Sequence, residues 1–386
     1  MTPPVRREIQ LLVPMLILIG IGWVMVFSTS AANGVVRPGG SMFMYLKRQV
    51  LATLIGAGAM VWLLRTPLST VHRAVPGILA ACAALMLAVF IPGLGRSVAR
   101  ATRWINLGFL SFQPVEVFKL AVVLGYAWLL AGERPGARWT REMWAKVAGL
   151  GLLSVALPIL QRDFGSAVLM LGLGLIMAWL AGAPLRYLAA CAGMAAVLAA
   201  VALVSAPYRL LRVQLWLSSL GGGGGGYQTT QSLIALGAGG IFGVGLGESG
   251  QKLFYLPSAH ADFIFSILGE ELGLVGALSV LALYTWLLRE GMRVAEAARS
   301  RFVRLLAAGL SLTVFMQALW HIAVAVVLVP TKGLALPFVS YGGSSLIASM
   351  LAVAMVMRCA EDSQSGVIGT VATPLGPSGS RMWAPS

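Results

Sequence analysis

The chain has 386 residues, 58% of them hydrophobic and only 11% charged, against about 25% charged in ordinary soluble domains. So apolar a chain cannot be buried within a soluble globule, which excludes that class and predicts a polytopic membrane protein. Its net charge of +15 comes from 28 Lys and Arg scattered among apolar segments. Without a run of five or six like charges, this argues against nucleic acid and for membrane orientation, anionic lipid or a phosphorylated ligand.

A membrane-spanning helix needs about 20 apolar residues. Apolar runs between charges and Gly/Pro clusters predict an all-α fold of about ten transmembrane helices, over 9–31, 45–64, 74–92, 114–131, 145–160, 165–181, 184–206, 262–288, 302–328 and 343–358. The first run is too long for the apolar part of a signal sequence and is read as a span. With a cytoplasmic N-terminus, most basic residues fall inside, among them Arg6, Arg7, Arg65, Arg289, Arg293 and Arg358, so both termini are expected in the cytoplasm. Arg96, Arg100 and Arg103 share one outer loop, and Arg209, Arg212, Lys252 and Lys332 lie in two others. Together they suit lipid phosphates or an anionic ligand on the outer side. Cys82, Cys191 and Cys359 lie in apolar segments without metal-like spacing and read as core residues. Residues 1–360 form the membrane domain. A long outer connection, 207–261, begins amphipathically and contains the flexible glycine run Gly221 to Gly226. The Gly-, Ser- and Pro-rich tail, 361–386, reads as disordered and cytoplasmic.

With only thirteen acidic residues, those at membrane positions carry the most information, because an ionisable group there is costly and by default functional. Glu116, Asp163, Asp262, Glu270 and Glu271 qualify. Asp262 opens the eighth helix, as a cap for its free N–H groups or as a carboxylate able to take a proton from a hydroxyl at the outer surface. Glu270 lies about 80° around the helix and ~12 Å deeper, and Glu271 points away from Asp262. One of the two could line a cavity while the other ties the helix to a neighbour. Glu116 and Lys119, three apart after Pro114, share a helix face as a structural ion pair or as a headgroup site. Finally, two prolines and three glycines interrupt apolar sequence from Pro330 to Ser345, which places irregular backbone at or near membrane depth. Lys332, the hydroxyls of Ser344 and Ser345 and the N-terminus of the tenth helix together point to phosphate binding over a purely structural turn.

These motifs resemble a known family. Arg103-Trp104-Ile105-Asn106-Leu107-Gly108, Phe112-Gln113-Pro114 with Glu116 and Lys119, Gln161 to Ser166, Gly226 to Ser232, His260 to Phe263, and Pro330 to Ser345 are similar in kind and order to the SEDS proteins of shape, elongation, division and sporulation (FtsW, RodA and SpoVE). Gln251 to Pro257 and Pro330 to Gly333 look more like the division branch than the elongation branch. The resemblance implies a peptidoglycan glycosyltransferase that polymerises lipid II, the undecaprenyl-pyrophosphate disaccharide pentapeptide, at the outer face of the bacterial inner membrane. It also implies a class B penicillin-binding protein transpeptidase and other division proteins as partners, no nucleic acid, and a place at the septum. Asp262 matches the family's essential aspartate, Glu116 and Lys119 its pair in the fourth helix, and Lys332 with Ser340, Tyr341, Ser344 and Ser345 its Gly-Gly-Ser-Ser segment. Val115, Ala261 and Ala335 depart from the family's usual Ser, Thr and Pro.

Glycosyl transfer of this kind needs a base beside the acceptor hydroxyl and positive charge around the departing pyrophosphate. Asp262 is the expected base. Lys332, Arg103 and a divalent cation, Mg or Mn, are expected at the leaving group, with His260 and Glu270 as further substrate contacts and no organic cofactor. A lipid II flippase is the rival reading, because buried charges and interrupted helices also serve alternating access, but the paired broken repeats of such transporters are absent from the sequence.

Overall fold

The computed structural model describes residues 7–36, 42–98, 101–106, 111–132, 139–204, 207–220, 226–252, 255–257, 259–331 and 333–365. Arg100, Lys332, Gly221 to Gly225 and the tail after Ser365 lie outside them. Twelve helices follow one another: α1 (Arg7–Val36), α2 (Met44–Leu64), α3 (Leu68–Ala88), α4 (Pro114–Ala131), α5 (Arg141–Leu160), α6 (Phe164–Leu180), α7 (Leu185–Val204), α8 (Pro207–Leu220), α9 (Tyr227–Gly239), α10 (Ile264–Ala297), α11 (Arg301–Ala325) and α12 (Gly343–Ser365). All but α8 and α9 coincide with the ten predicted segments. By length and composition, seven could cross a membrane: α1, α3, α4, α5, α10, α11 and α12.

The helices sort into a centre and a periphery. The apolar stretches of α4, α11 and α12 are 72%, 72% and 78% buried, against 22% for α3 and 28% for α5, so the first three form the core and the others face outward. Arg7 donates to the Arg293 carbonyl at 3.3 Å, and Arg358 donates to that of Thr66 at 3.1 Å. The start of α1 and the end of α12 therefore lie at the same end of the bundle as the far end of α10. The starts of α2, α4, α10 and α12 meet at the opposite end.

The helical membrane fold carries one small addition: β1 (Gly95–Val98), β2 (Ala101–Asn106) and β3 (Ser111–Phe112) form an antiparallel sheet in the order β1-β2-β3 between α3 and α4. Three finer expectations are corrected. Much of the connection over 207–261 is helical, as α8 and α9. The last helix runs past Glu361, where an Arg358–Glu361 ion pair of 2.8 Å supports the added turn, so the tail cannot begin at 361. Cys82 and Cys359 are buried as expected, whereas Cys191 is exposed on α7.

The longest helix, α10, is spliced rather than continuous. Gly273 has φ 67° and ψ −166°, a conformation essentially restricted to glycine. The helical bonds that Leu274 and Val275 would make to the carbonyls of Glu270 and Glu271 are replaced by an inserted segment. Val244 and Gly245 donate to those carbonyls at 3.0 and 3.1 Å, while Leu274 and Val275 donate to Gly240 and Ile241 at 3.0 and 3.1 Å. Only glycines permit this approach, because a Cβ on Gly273 would stand 2.3 Å from the Gly243 nitrogen. Gly273→Ala should therefore lower stability by at least about 1–3 kcal/mol from backbone strain alone, read as an earlier thermal midpoint in detergent. A midpoint equal to wild type would mean the splice is dispensable.

Candidate active site

The irregular segment over 334–342 is an internal scaffold. Leu334, Leu336, Phe338 and Val339 are buried, and much of the backbone around them is hydrogen-bonded within the protein, as apolar surroundings demand. The Ser340 hydroxyl accepts from the Leu336 N–H at 2.8 Å and donates to the Ala261 carbonyl at 2.7 Å. The Tyr341 N–H donates to the His260 carbonyl at 3.0 Å. Gln49 of α2, fully buried, donates to the Ser340 carbonyl at 3.2 Å and accepts from the Gly342 N–H at 3.4 Å. The carbonyls of His260 and Ala261, directly before Asp262, are thereby tied to the turn. Rings complete the support: His260 stacks on Tyr45 at 4.7 Å, and Tyr341 meets both edge-on, at 4.8 Å from Tyr45 and 5.6 Å from His260.

Asp262 stands at the edge of this scaffold, just before α10. Among the described residues no hydrogen bond or ion pair ties up its half-buried carboxylate. The backbone of Gly333 lies against it so closely that a Cβ there would sit 3.1 and 3.2 Å from its two oxygens. Burial raises the Asp262 carboxyl above its ordinary value, and the positive charge of Arg103 partly offsets this. Arg103 is itself fixed. From β2 its guanidinium donates to the carbonyls of Gln161 and Arg162 in the turn between α5 and α6. Nearby burial also lowers the pKa of His260, keeping that ring neutral at pH 7. Gly333→Ala should crowd the carboxylate by a few tenths of an ångström and cost roughly tenfold in turnover, since misplacement of about 1 Å can cost 10²-fold. Unchanged turnover would show that the contact is not critical.

Other expected site residues are close but engaged. Ser344 accepts from the Gln113 N–H at 3.0 Å, joining α12 to the start of α4. Glu116 and Lys119 form a buried ion pair of 2.9 Å; Lys119 also donates to Gln317 at 2.5 Å, and Gln317 donates to the Ala335 carbonyl at 2.8 Å and to Ser345 at 3.3 Å. This network braces the scaffold from α4 and α11, the structural alternative for that pair. Asp163 caps α6 by accepting from the Ser166 hydroxyl at 2.8 Å. Glu270 is engaged within the protein: its carboxylate accepts from the Ser249 hydroxyl and, at 3.1 Å, from the Gly250 N–H. Glu271 accepts from Ser28 at 2.6 Å and pairs with Lys252 at 3.1 Å. Both acids therefore fasten the 249–252 segment. Gln49, Gln317 and Tyr45 escaped the sequence reading. Uncharged amides inside apolar helices were the available signal for the first two, because such groups must find partners in a membrane.

No cluster of three or more His, Cys, Asp or Glu among the described residues could hold a metal ion. The carboxylates of Glu116 and Glu270 are engaged by Lys119 and by Ser249 and Gly250.

The family model for FtsW, RodA and SpoVE, described as cell cycle proteins, matches residues 9–365. The chain belongs to this family. A relative from Halorhodospira halophila, named "Probable peptidoglycan glycosyltransferase FtsW", is 41% identical over 88% of this chain and 87% of its own. One of the same name from Geobacter sulfurreducens is 38% identical over 92% and 95%. Among solved structures, a chain from work described as "Structural coordination of polymerization and crosslinking by a peptidoglycan synthase complex" superposes with a TM-score of 0.73 at 28% identity, covering 92% of this chain and 97% of that one. The rod shape determining protein RodA of Thermus thermophilus gives 0.67 at 27%, covering 91% and 96%. Like these, the FtsW/RodA/SpoVE member described here is a multi-pass helical protein.

Proposed function

We propose that this chain is a peptidoglycan glycosyltransferase of the FtsW type that polymerises lipid II, with Asp262 as its general base. The observation that carries the assignment is geometric: a half-buried carboxylate with no hydrogen bond or ion pair among the described residues, backed by Gly333 and under the positive charge of the fixed Arg103. Asp262 takes the proton from the acceptor sugar's 4-hydroxyl as that oxygen bonds to C1 of the donor sugar. The C1–O bond to the donor's pyrophosphate breaks, and undecaprenyl pyrophosphate departs with the electron pair. A single carboxylate without a second nucleophile suits one inverting displacement. Arg103, held by two carbonyls, supplies positive charge near Asp262, and Lys332, which lies outside the described residues, is assigned as a second positive group for the leaving pyrophosphate. A Mg or Mn ion would arrive with the substrate's pyrophosphate.

The starts of α2, α4, α10 and α12 meet at the Asp262 end of the bundle, which faces the outer side of the bacterial inner membrane, with both chain termini cytoplasmic. A class B penicillin-binding protein cross-links the product, and the likeness to division-type relatives supports septal placement with other division proteins. The test is incubation of the purified protein with lipid II, alone and with its transpeptidase partner. Glycan chains resolved by electrophoresis are expected. Movement of lipid II across vesicles with no polymer formed would instead favour the flippase reading.

A further inference from the structure

The segment spliced into α10 presents an unusual surface. From Gly240 to Gly247 it contains no charged or polar side chain. Phe242 is 82% exposed, and Ile241, Val244 and Leu246 are exposed beside it. In water such a strip would be costly, because contiguous exposed apolar surface marks an interaction site. Its bonding to α10 fixes where it lies. Since Leu274 and Val275 donate to Gly240 and Ile241, the strip is continuous with the exposed Leu274, Val275 and Leu278 of a helix that crosses the membrane.

The depth follows from α10 itself. Leu272 to Leu288 is an uncharged stretch bounded by Glu270 and Glu271 on one side and Arg289 on the other. At 1.5 Å per residue those 17 residues span about 25 Å, close to the ~30 Å of bilayer hydrocarbon. The splice sits just inside the Asp262 end of this stretch. Non-helical backbone survives at that level only if its polar groups are satisfied by protein. Here Gly243, Val244 and Gly245 donate to Gly239, Glu270 and Glu271. Beyond Gly247 the chain leaves the apolar layer at once. Glu248 follows, and the 249–252 segment is fastened by Glu270 and Glu271.

We propose that Gly240 to Leu246 is a re-entrant wedge immersed in the lipid of the outer leaflet, its occupant being acyl chain rather than water or another protein. The 207–261 connection is therefore not wholly extracytoplasmic. This inference is independent of the catalytic assignment.

The full-length protein with Cys191→Ser, reconstituted in phosphatidylethanolamine and phosphatidylglycerol vesicles, would carry one nitroxide label at a time through Phe242→Cys, Leu246→Cys, Leu278→Cys or Tyr255→Cys. Power-saturation electron paramagnetic resonance then compares access by oxygen, which concentrates in lipid, with access by a water-soluble nickel chelate. Labels at 242 and 246 are expected to favour oxygen severalfold, as at 278, while a label at 255 favours nickel. If labels at 242 and 246 behave like that at 255, or are shielded from both reagents, the wedge is not in lipid. The two positions give independent readings should one label disturb folding.

Discussion

Asp262→Asn is expected to abolish polymerisation while leaving the protein folded and at least as stable as wild type. Removing a positioned general base costs about 10²–10⁴ in rate, and with no second carboxylate beside it among the described residues the loss should fall at the upper end. The stability side follows from the sign of the pKa shift. Burial raises the Asp262 carboxyl, so the folded state binds its proton more tightly than the unfolded chain, whose value is about 3.9. Stability therefore falls as pH rises from the unfolded value through the folded one. Above the folded value the ionised carboxylate carries its full burial cost. Asn is nearly isosteric and uncharged, and it relieves that cost. Thermal unfolding in detergent, paired with the lipid II assay, checks both halves. An inactive variant with a sharply lower midpoint would make Asp262 a structural residue.

The second large effect concerns Glu116 and Lys119. Both side chains are buried, and the pair connects through Gln317 to Ala335 and Ser345. Removing one partner of a buried pair strands the other charge and costs about 3–5 kcal/mol. Glu116→Gln and Lys119→Met should each destabilise by that order. Combined, they should recover most of the loss, retaining the roughly 1–3 kcal/mol of leaving the Gln317 acceptor without its donor. Strictly additive costs in a double-mutant cycle would show that the pair does not act as a unit. Because this network holds the segment against which Asp262 rests, the single variants should also lose activity at temperatures where they remain folded.

The apolar helices were legible because a spanning segment writes its length directly into hydropathy; among the described residues seven are long and apolar enough to cross a membrane. Asp262 was legible because acids are so scarce in this chain. The sheet at 95–112 was not: its strands are two to six residues long, and three arginines gave it the look of a loop. Nor was the splice in α10, since a lone glycine in an apolar run is compatible with an unbroken helix. Gly273 acquires its meaning only from Gly240 to Gly245, about thirty residues earlier in the chain. Partners of Glu270 were hidden in the same way. Helical periodicity states which way a side chain points from its own helix, but the loop that arrives to bind it, here Ser249 and Gly250, is a tertiary fact. Ser340 and Tyr341 were singled out by resemblance, and in the structure they hold the two residues before Asp262: the Ser340 hydroxyl donates to the Ala261 carbonyl and the Tyr341 N–H to that of His260.

The measurement closest to the central claim is the pH dependence of lipid II polymerisation by wild type and Arg103→Gln, each in complex with the transpeptidase partner. An ionised Asp262 must accept the proton, so the rate should rise with pH through the carboxyl's raised value. The Arg103 charge favours the ionised form. Removing it should move the acid limb to higher pH, with part of the lost rate restored at alkaline pH. An acid limb at the same pH in both proteins, with only a uniform loss of rate, would contradict Asp262 as the base under the influence of Arg103.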